Sequence, residues 1–338
     1  MMTTSDVQEL GHTTDAAAPA VKVGSYLLGR EIGRGATGVL YQARHVNQDR
    51  GVILKLLDPT LVGVKKASRQ DALFAREAMT LAEIPRHPGI VGILDAGLAD
   101  GLPFIVTEQV EGQPLAQSLK VRNQDLKALV RILRDTALAV HHSHEHKVLH
   151  RNLKPSNVIV DLSGHPHVTD FGSAKRVDPG KHQSTTFTLG GSVGTPAYMS
   201  PERASGLSSV DRRTDVYSLG AMLYEAITGR PPFLVSGTIA DLVTLVRGDI
   251  ELPSRVRPVG GAPGGDPALD AICMKALAKQ PDGRYSTAKE FADALSGWLG
   301  ESGEKKEASI PSRAFIGVVC LLIGLAAAAA LAYVGLCG

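Results

Sequence analysis

The sequence predicts an α+β chain in two lobes, a small strand-rich lobe followed by a larger helical one, with a transmembrane helix near its C-terminal end. Three observations carry this. Apolar residues alternate near positions 39–57, apolar residues three and four apart begin at Leu126, and a long uncharged stretch fills 314–336.

Residues 1–25 are expected to be a flexible tail, because Asp6, Glu9 and Asp15 interrupt them and no apolar stretch of a secretory signal is present. Val39, Tyr41 and Ala43 then alternate with Leu40, Gln42 and Arg44, and the apolar run 52–57 follows, so antiparallel strands are expected. A helix is expected over about 69–84, stopped by Pro85, Pro88 and Gly89, and another strand at Phe104-Ile105-Val106. In the second lobe, Leu126, Val130, Leu133, Ala137 and Val140 fall on one helix face leading to the polar cluster 141–147. Further helices are expected near 215–228, 266–279 and 287–299, with a Pro/Gly-rich loop at 253–266. The lobes would leave a ligand cleft between them.

A polar linker, 300–313, leads to the last element. The 23 residues 314–336 contain no charge, His, Asn, Gln or Pro. As a helix they would reach about 34 Å, enough to cross a hydrocarbon core of about 30 Å, whereas a buried core helix of that length would show a polar stripe. Lys305, Lys306 and Arg313 flank its N-terminal side and two residues follow it, so a single-pass anchor is expected with residues 1–313 in the cytoplasm.

Composition narrows the function. The 338 residues are 43% hydrophobic and 21% charged, which suits one large or two ordinary globular domains. With 36 basic against 34 acidic residues the net charge is +2, which makes no electrostatic case for nucleic acid as a partner. Cys273, Cys320 and Cys337 form neither a C-x-x-C nor a Cys/His pattern, against a disulfide scaffold or a zinc site.

The motifs that carry chemistry begin with Gly33, Gly35, Gly38 and Val39, read together as G-x-G-x-x-G-x-V, a loop whose missing side chains let backbone N–H groups approach phosphates. A strand rather than a helix follows these glycines, which disfavours a dinucleotide-binding dehydrogenase. Lys55 sits in the middle of an apolar strand, an unfavourable place for a charge unless it meets an anion, and Glu77 in the following helix is a candidate partner. His150-Arg151-Asn152-Leu153-Lys154-Pro155-Ser156-Asn157 and Asp170-Phe171-Gly172 follow downstream.

In order and spacing this set resembles the eukaryotic-type protein kinase family, over about residues 26–299, with Ser200-Pro201-Glu202 standing for A-P-E. The resemblance implies a two-lobed protein-kinase fold that binds ATP with Mg²⁺ and phosphorylates protein Ser/Thr. By it, Gly33, Gly35 and Gly38 would cover the phosphates, with Ile32 and Val39 beside them; Lys55 would grip the phosphates and be held by Glu77. Thr107 would stand at the start of a hinge, with Glu108 and Val110 beside adenine. Asn157 and Asp170 would hold the metal, and Arg151, Asn152 and Lys154 would form the catalytic loop. Asp215 would steady that loop, and Glu202 with Arg284 would form a buried ion pair. Lys154 and Gly194-Thr195-Pro196 resemble the Ser/Thr branch, and the segments around Asp215 and Arg284 look most like bacterial members.

One position departs from the family pattern: Asn152 stands where the catalytic loop carries Asp. An amide keeps the shape and accepts a hydroxyl hydrogen bond, but it takes up no proton. The resemblance therefore implies either a slowed kinase or a pseudokinase acting as an ATP-responsive binding module. A phosphate on one of residues 184–188 would pair with Arg151 and order the segment between Gly172 and Ser200. His142 and His146, four apart on a helix, suit a metal pair, yet Ser143 stands where H-E-x-x-H needs Glu, and no metal is assigned there. Protein substrates or partners close to the membrane are expected, because a linker of about a dozen residues confines the cleft to within a few nanometres of it.

Overall fold

The computed structural model describes residues 21–35, 38–48, 50–57, 84–99, 101–121, 125–171, 175–176, 196–207, 210–235, 238–256, 258–259, 262 and 266–301. Residues 1–20 of the expected tail, the expected helix up to residue 83 with Glu77, the segment 177–195 and the span 314–336 lie outside the described residues; residues 22–23, expected in the flexible tail, instead form a strand paired with 26–27, because Val23 is buried in the small-lobe core. Among the described residues no helix is long and apolar enough to cross a membrane. The chain divides into two units, Met1–Gly300 and Glu301–Gly338, and both lobes belong to the first.

The small lobe is a six-stranded antiparallel sheet in the order β1-β2-β3-β4-β6-β5, made of β1 (Lys22–Val23), β2 (Tyr26–Gly35), β3 (Gly38–His45), β4 (Gly51–Leu57), β5 (Ile93–Ala99) and β6 (Leu102–Glu108). The alternation expected from the sequence is realised. Val39, Tyr41 and Ala43 of β3 pack with Val52, Leu54 and Leu56 of β4 and Phe104 and Val106 of β6 in one buried cluster. Residues opposite one another in neighbouring strands share a face, so Val39, Leu56 and Phe104 point to this core while Leu40, Lys55 and Ile105 point the other way.

The large lobe is built on α2 (Leu126–Glu145), α4 (Arg213–Thr228), α6 (Pro267–Ala276) and α7 (Ala288–Leu299), with the short α1 (Leu115–Ser118) and α3 (Pro201–Ala204) and the nine-residue α5 (Ile239–Arg247). Asp125 caps α2 by accepting the Lys127 N–H at 2.9 Å, and the face carrying Leu129, Val130, Leu133, Ala137 and Val140 is buried. Asp266 caps α6 through the N–H groups of Ala268 and Leu269, and its other oxygen accepts the Trp298 indole N–H of α7 at 2.9 Å, tying the two helices together. Helix α4 is buried nearly all round at the centre of the lobe, packing on α2 and α6.

Small sheets carry the segments between the lobes: β7 (Gly112–Pro114), β9 (Val158–Asp161) and β10 (Pro166–Val168) form one, and β8 (Val148–Leu149) pairs with β11 (Lys175–Arg176). Helix α5 was not among the expected elements. Its signal is local, a capping box in which Thr238 Oγ1 accepts the Asp241 N–H at 3.3 Å and Asp241 accepts the Thr238 N–H at 2.8 Å.

Candidate active site

Lys55 reaches across from the small lobe because strand alternation turns it away from the core that Leu54 and Leu56 join. Its Nζ lies 2.6 Å from Asp170 Oδ1, with only 14% of the Lys55 side chain exposed. This answers why a charge sits in an apolar strand: it meets a carboxylate. Asp170 follows β10 with φ of 62°, a left-handed backbone that a non-glycine residue adopts at a cost, and Arg151 shares that conformation at 64°.

Two amides complete the cluster. Asn152 Nδ2 donates to Asp170 Oδ2 at 3.3 Å, and Asn157, on the turn Pro155–Asn157, donates to the Asn152 carbonyl at 2.8 Å and to Asp170 Oδ2 at 3.4 Å. Lys154 is half-buried at the start of that turn.

Beneath these lies a buried scaffold centred on Asp215 of α4. Its Oδ2 accepts the His150 N–H at 2.9 Å and faces His144 Nε2 at 2.8 Å, while Oδ1 accepts the Arg151 N–H at 2.8 Å. Burial pushes this carboxyl up, but the His144 bond and the neighbouring donors more than offset it, so it stays below the usual carboxylate range. His150 is held below the usual imidazole range by burial, against the pull of Asp215. Its neutral ring fits its bonds: Nδ1 accepts the Asn152 N–H at 3.2 Å, Nε2 donates to the Thr169 carbonyl at 2.9 Å, and the ring packs at a tilt of 53° against Phe171, centroids 4.6 Å apart. Farther out, Arg284 grips Glu202 with two bonds, 2.8 and 2.7 Å, and also donates to three backbone carbonyls.

The nucleotide side is placed less completely. Gly35 pairs with Gly38 at the end of the β2–β3 hairpin, whose tip, 36–37, lies outside the described residues. Among the described residues nothing stands within 4 Å of where a Cβ on Gly33 would be, so its backbone is open to approach from them. Ile32 is exposed and Val110 half-buried. The Glu108 carboxylate pairs with Arg50 at 3.1 Å, and the Glu108 N–H donates to the Gly92 carbonyl at 3.0 Å. Val39 is a correction. It lies in the small-lobe core, and the residue two places after Gly38 is Leu40, which stands opposite Lys55 on the same face of the sheet. The G-x-G-x-x-G-x-V spacing, counted strictly, marks Leu40.

The histidines of α2 and its C-cap divide their tasks. His144 serves Asp215, His142 Nε2 bonds the Pro85 carbonyl at 2.9 Å, and His146 Nδ1 bonds the His142 carbonyl at 2.8 Å. Arg203, which the motifs do not single out, donates through Nη1 to the Arg151 carbonyl.

A sequence profile of the protein kinase domain matches residues 26–294. The chain belongs to the protein kinase family. Among curated relatives, the serine/threonine-protein kinase PknB of Mycolicibacterium smegmatis is 36% identical over 272 residues, covering 79% of this chain and 41% of that protein. PknB of Mycobacterium tuberculosis is 35% identical over 286 residues, covering 82% of this chain and 44% of that protein. The chain thus spans about two fifths of the length of the relatives it matches. Crystal structures of the Mycobacterium tuberculosis PknI kinase domain share the fold: one cysteine-to-alanine mutant is 26% identical with a TM-score of 0.62, covering 86% of this chain and all of that one. These relatives place the chain with bacterial kinases of the eukaryotic Ser/Thr type.

The family implies ATP and a divalent metal, and the residues present fit both. Asp170 and Asn157 offer a carboxylate and an amide oxygen, the hard donors that such a cation takes when phosphates and water complete its shell. Lys55 offers a cation for the phosphates, on the sheet face that Gly33 and Leu40 share.

Proposed function

We propose that the protein is a Ser/Thr protein kinase that transfers the γ-phosphate of ATP to protein hydroxyls with Mg²⁺, at a rate lowered by Asn152. The observation that carries this reading is the Lys55–Asp170 pair at 2.6 Å, with Asn157 beside it, in a chain of the kinase family. Mg²⁺, when bound, neutralises the phosphate charge. Lys55 orients the phosphates, and Asp170 and Asn157 hold the cation. Asn152 accepts the hydrogen bond of the incoming hydroxyl through Oδ1 and so aims it, but the hydroxyl proton leaves to water or to a phosphoryl oxygen, because an amide does not bind it. Lys154 supplies positive charge beside the transferred group.

Positioning and charge neutralisation carry most of phosphoryl transfer, and general-base help contributes about 10²–10⁴-fold, so the missing carboxylate slows the reaction without removing it. The second reading, a pseudokinase acting as an ATP-responsive binding module, draws on the same substitution. The test is mass-spectrometric autophosphorylation of the full chain with Mg²⁺ and ATP, beside Asn152→Asp and Asp170→Ala. Phosphate on the wild-type chain but not on Asp170→Ala supports the kinase; phosphate only on Asn152→Asp supports the pseudokinase.

The uncharged stretch 314–336 and the basic residues before it support a single-pass anchor with the kinase domain on the cytoplasmic side, facing protein partners near the membrane. A chain lacking 314–338 that still sediments with membranes would refute this.

A further inference from the structure

Arg151 is doubly constrained in the catalytic loop. Its backbone is left-handed, φ 64°, and its N–H is fixed by Asp215 Oδ1 at 2.8 Å. The N–H of Arg151 belongs to the preceding peptide, which sets that φ, while the peptide that follows, joining Arg151 to Asn152, turns about ψ of Arg151 and φ of Asn152 and needs its own restraint. That peptide has two handles. Among the described residues its N–H is held by the 3.2 Å contact with His150 Nδ1, a weak bond. Its carbonyl is held by the Arg203 guanidinium, a charge-assisted bond.

Arg203 is delivered to this point by its own element. It follows Glu202 in the four-residue α3, and Glu202 is locked by Arg284 at 2.8 and 2.7 Å. At the helix start, Ser200 Oγ meets Thr214 Oγ1 at 2.5 Å. The guanidinium is disfavoured chiefly by burial, attracted by Asp215, repelled by Arg151 and attracted by Glu202. Asp215 and Arg203 therefore clasp Arg151 from both sides, one through its N–H and the other through its C=O.

We propose that Arg203 is a positioning residue: by gripping the Arg151 carbonyl it sets the peptide from which Asn152 projects toward Asp170. The inference rests on the reading of 150–157 as a catalytic loop. It gives this chain a means of aiming Asn152, whose contribution without a carboxylate is orientation alone.

The test uses the full chain with Arg203→Met and Arg203→Lys, each in the wild-type and Asn152→Asp backgrounds. Amide exchange at Arg151 and Asn152, followed by NMR, is expected to speed up at least tenfold in Arg203→Met and to return to within about threefold of wild type in Arg203→Lys, which keeps a donor. Exchange in α2 and α7 is expected to stay unchanged. In parallel, kcat should fall about tenfold or more in Arg203→Met with the KM for ATP within about twofold. Unchanged exchange at Asn152 in Arg203→Met overturns the proposal, and so does acceleration spread evenly through the lobe, which marks a merely structural bond. If Arg203→Met fails to fold, Arg203→Leu, which also lacks a donor, replaces it under the same criteria. Absence of phosphate transfer even with Asn152→Asp would refute the kinase reading, while the exchange result would still decide the role of Arg203.

Discussion

The Asn152 amide donates to Asp170 Oδ2 at 3.3 Å, the same oxygen that Asn157 reaches at 3.4 Å. A carboxylate at position 152 would set two negative charges where this structure has a hydrogen bond. The amide thus settles the ligand-free cleft while removing the group that would receive a proton.

Asn152→Asp is therefore expected to have opposite effects on rate and on stability. Phosphate transfer should rise by about 10²–10⁴-fold. Melting of the ligand-free chain should drop by about 2–4 °C, the size of about 1 kcal/mol in a domain of this class, and Mg²⁺ with ATP should restore it. A variant that melts higher than wild type without ligand would show that the Asn152–Asp170 contact contributes nothing.

Removing either member of the Lys55–Asp170 pair leaves the other without its 2.6 Å partner. Lys55→Met and Asp170→Ala are each expected to weaken binding of a fluorescent ATP analogue by about tenfold or more in the presence of Mg²⁺, with Asp170→Ala also losing the Mg²⁺ dependence. Analogue titration with and without the metal reads both.

The Glu202–Arg284 pair makes an acid-sensitive contribution. Burial raises the Glu202 pKa, but the Arg284 bonds more than offset it, and the net shift from 4.5 is downward. The unfolded chain then binds more protons than the folded one in acid, so the stability from this pair is present above about pH 4.5 and is lost as pH falls through the lower folded value. Glu202→Gln should flatten that part of the melting profile, and Arg284→Met should destabilise by about 3–5 kcal/mol, because it leaves a buried carboxylate unpaired. Thermal melts between pH 3 and 7 provide the check.

Gly220 lets α4 and α6 pack closely. A Cβ there would lie 2.7 Å from Ala276 Cβ. Gly220→Ala should therefore force the helices apart and cost about 1–3 kcal/mol, read as a lower denaturant midpoint, with binding of the ATP analogue unchanged.

Much of this was legible in the sequence because the signals are local. The alternation in β3 and β4 and the three-and-four spacing in α2 each arise within one element, and the motifs carry their own order. Strands of two or three residues, such as β1, β8 and β11, are too short to show a period. Helix α5 carries a readable cap on a short element, and Val39 took the place of Leu40 through a spacing one residue short.

What the sequence determined by itself is the longer strands around 39–57 and 104–106, the main helices of the large lobe, the family motifs, and that residue 152 is an amide. Only the tertiary structure decided which side chains meet. Lys55 and Asp170 are 115 residues apart, His144 and Asp215 are 71 apart, and Arg203 and Arg151 are 52 apart. The physical reason is that such pairs form where packed helices and sheets return the chain to the same place, so their partners are set by how the lobes pack rather than by a neighbouring residue.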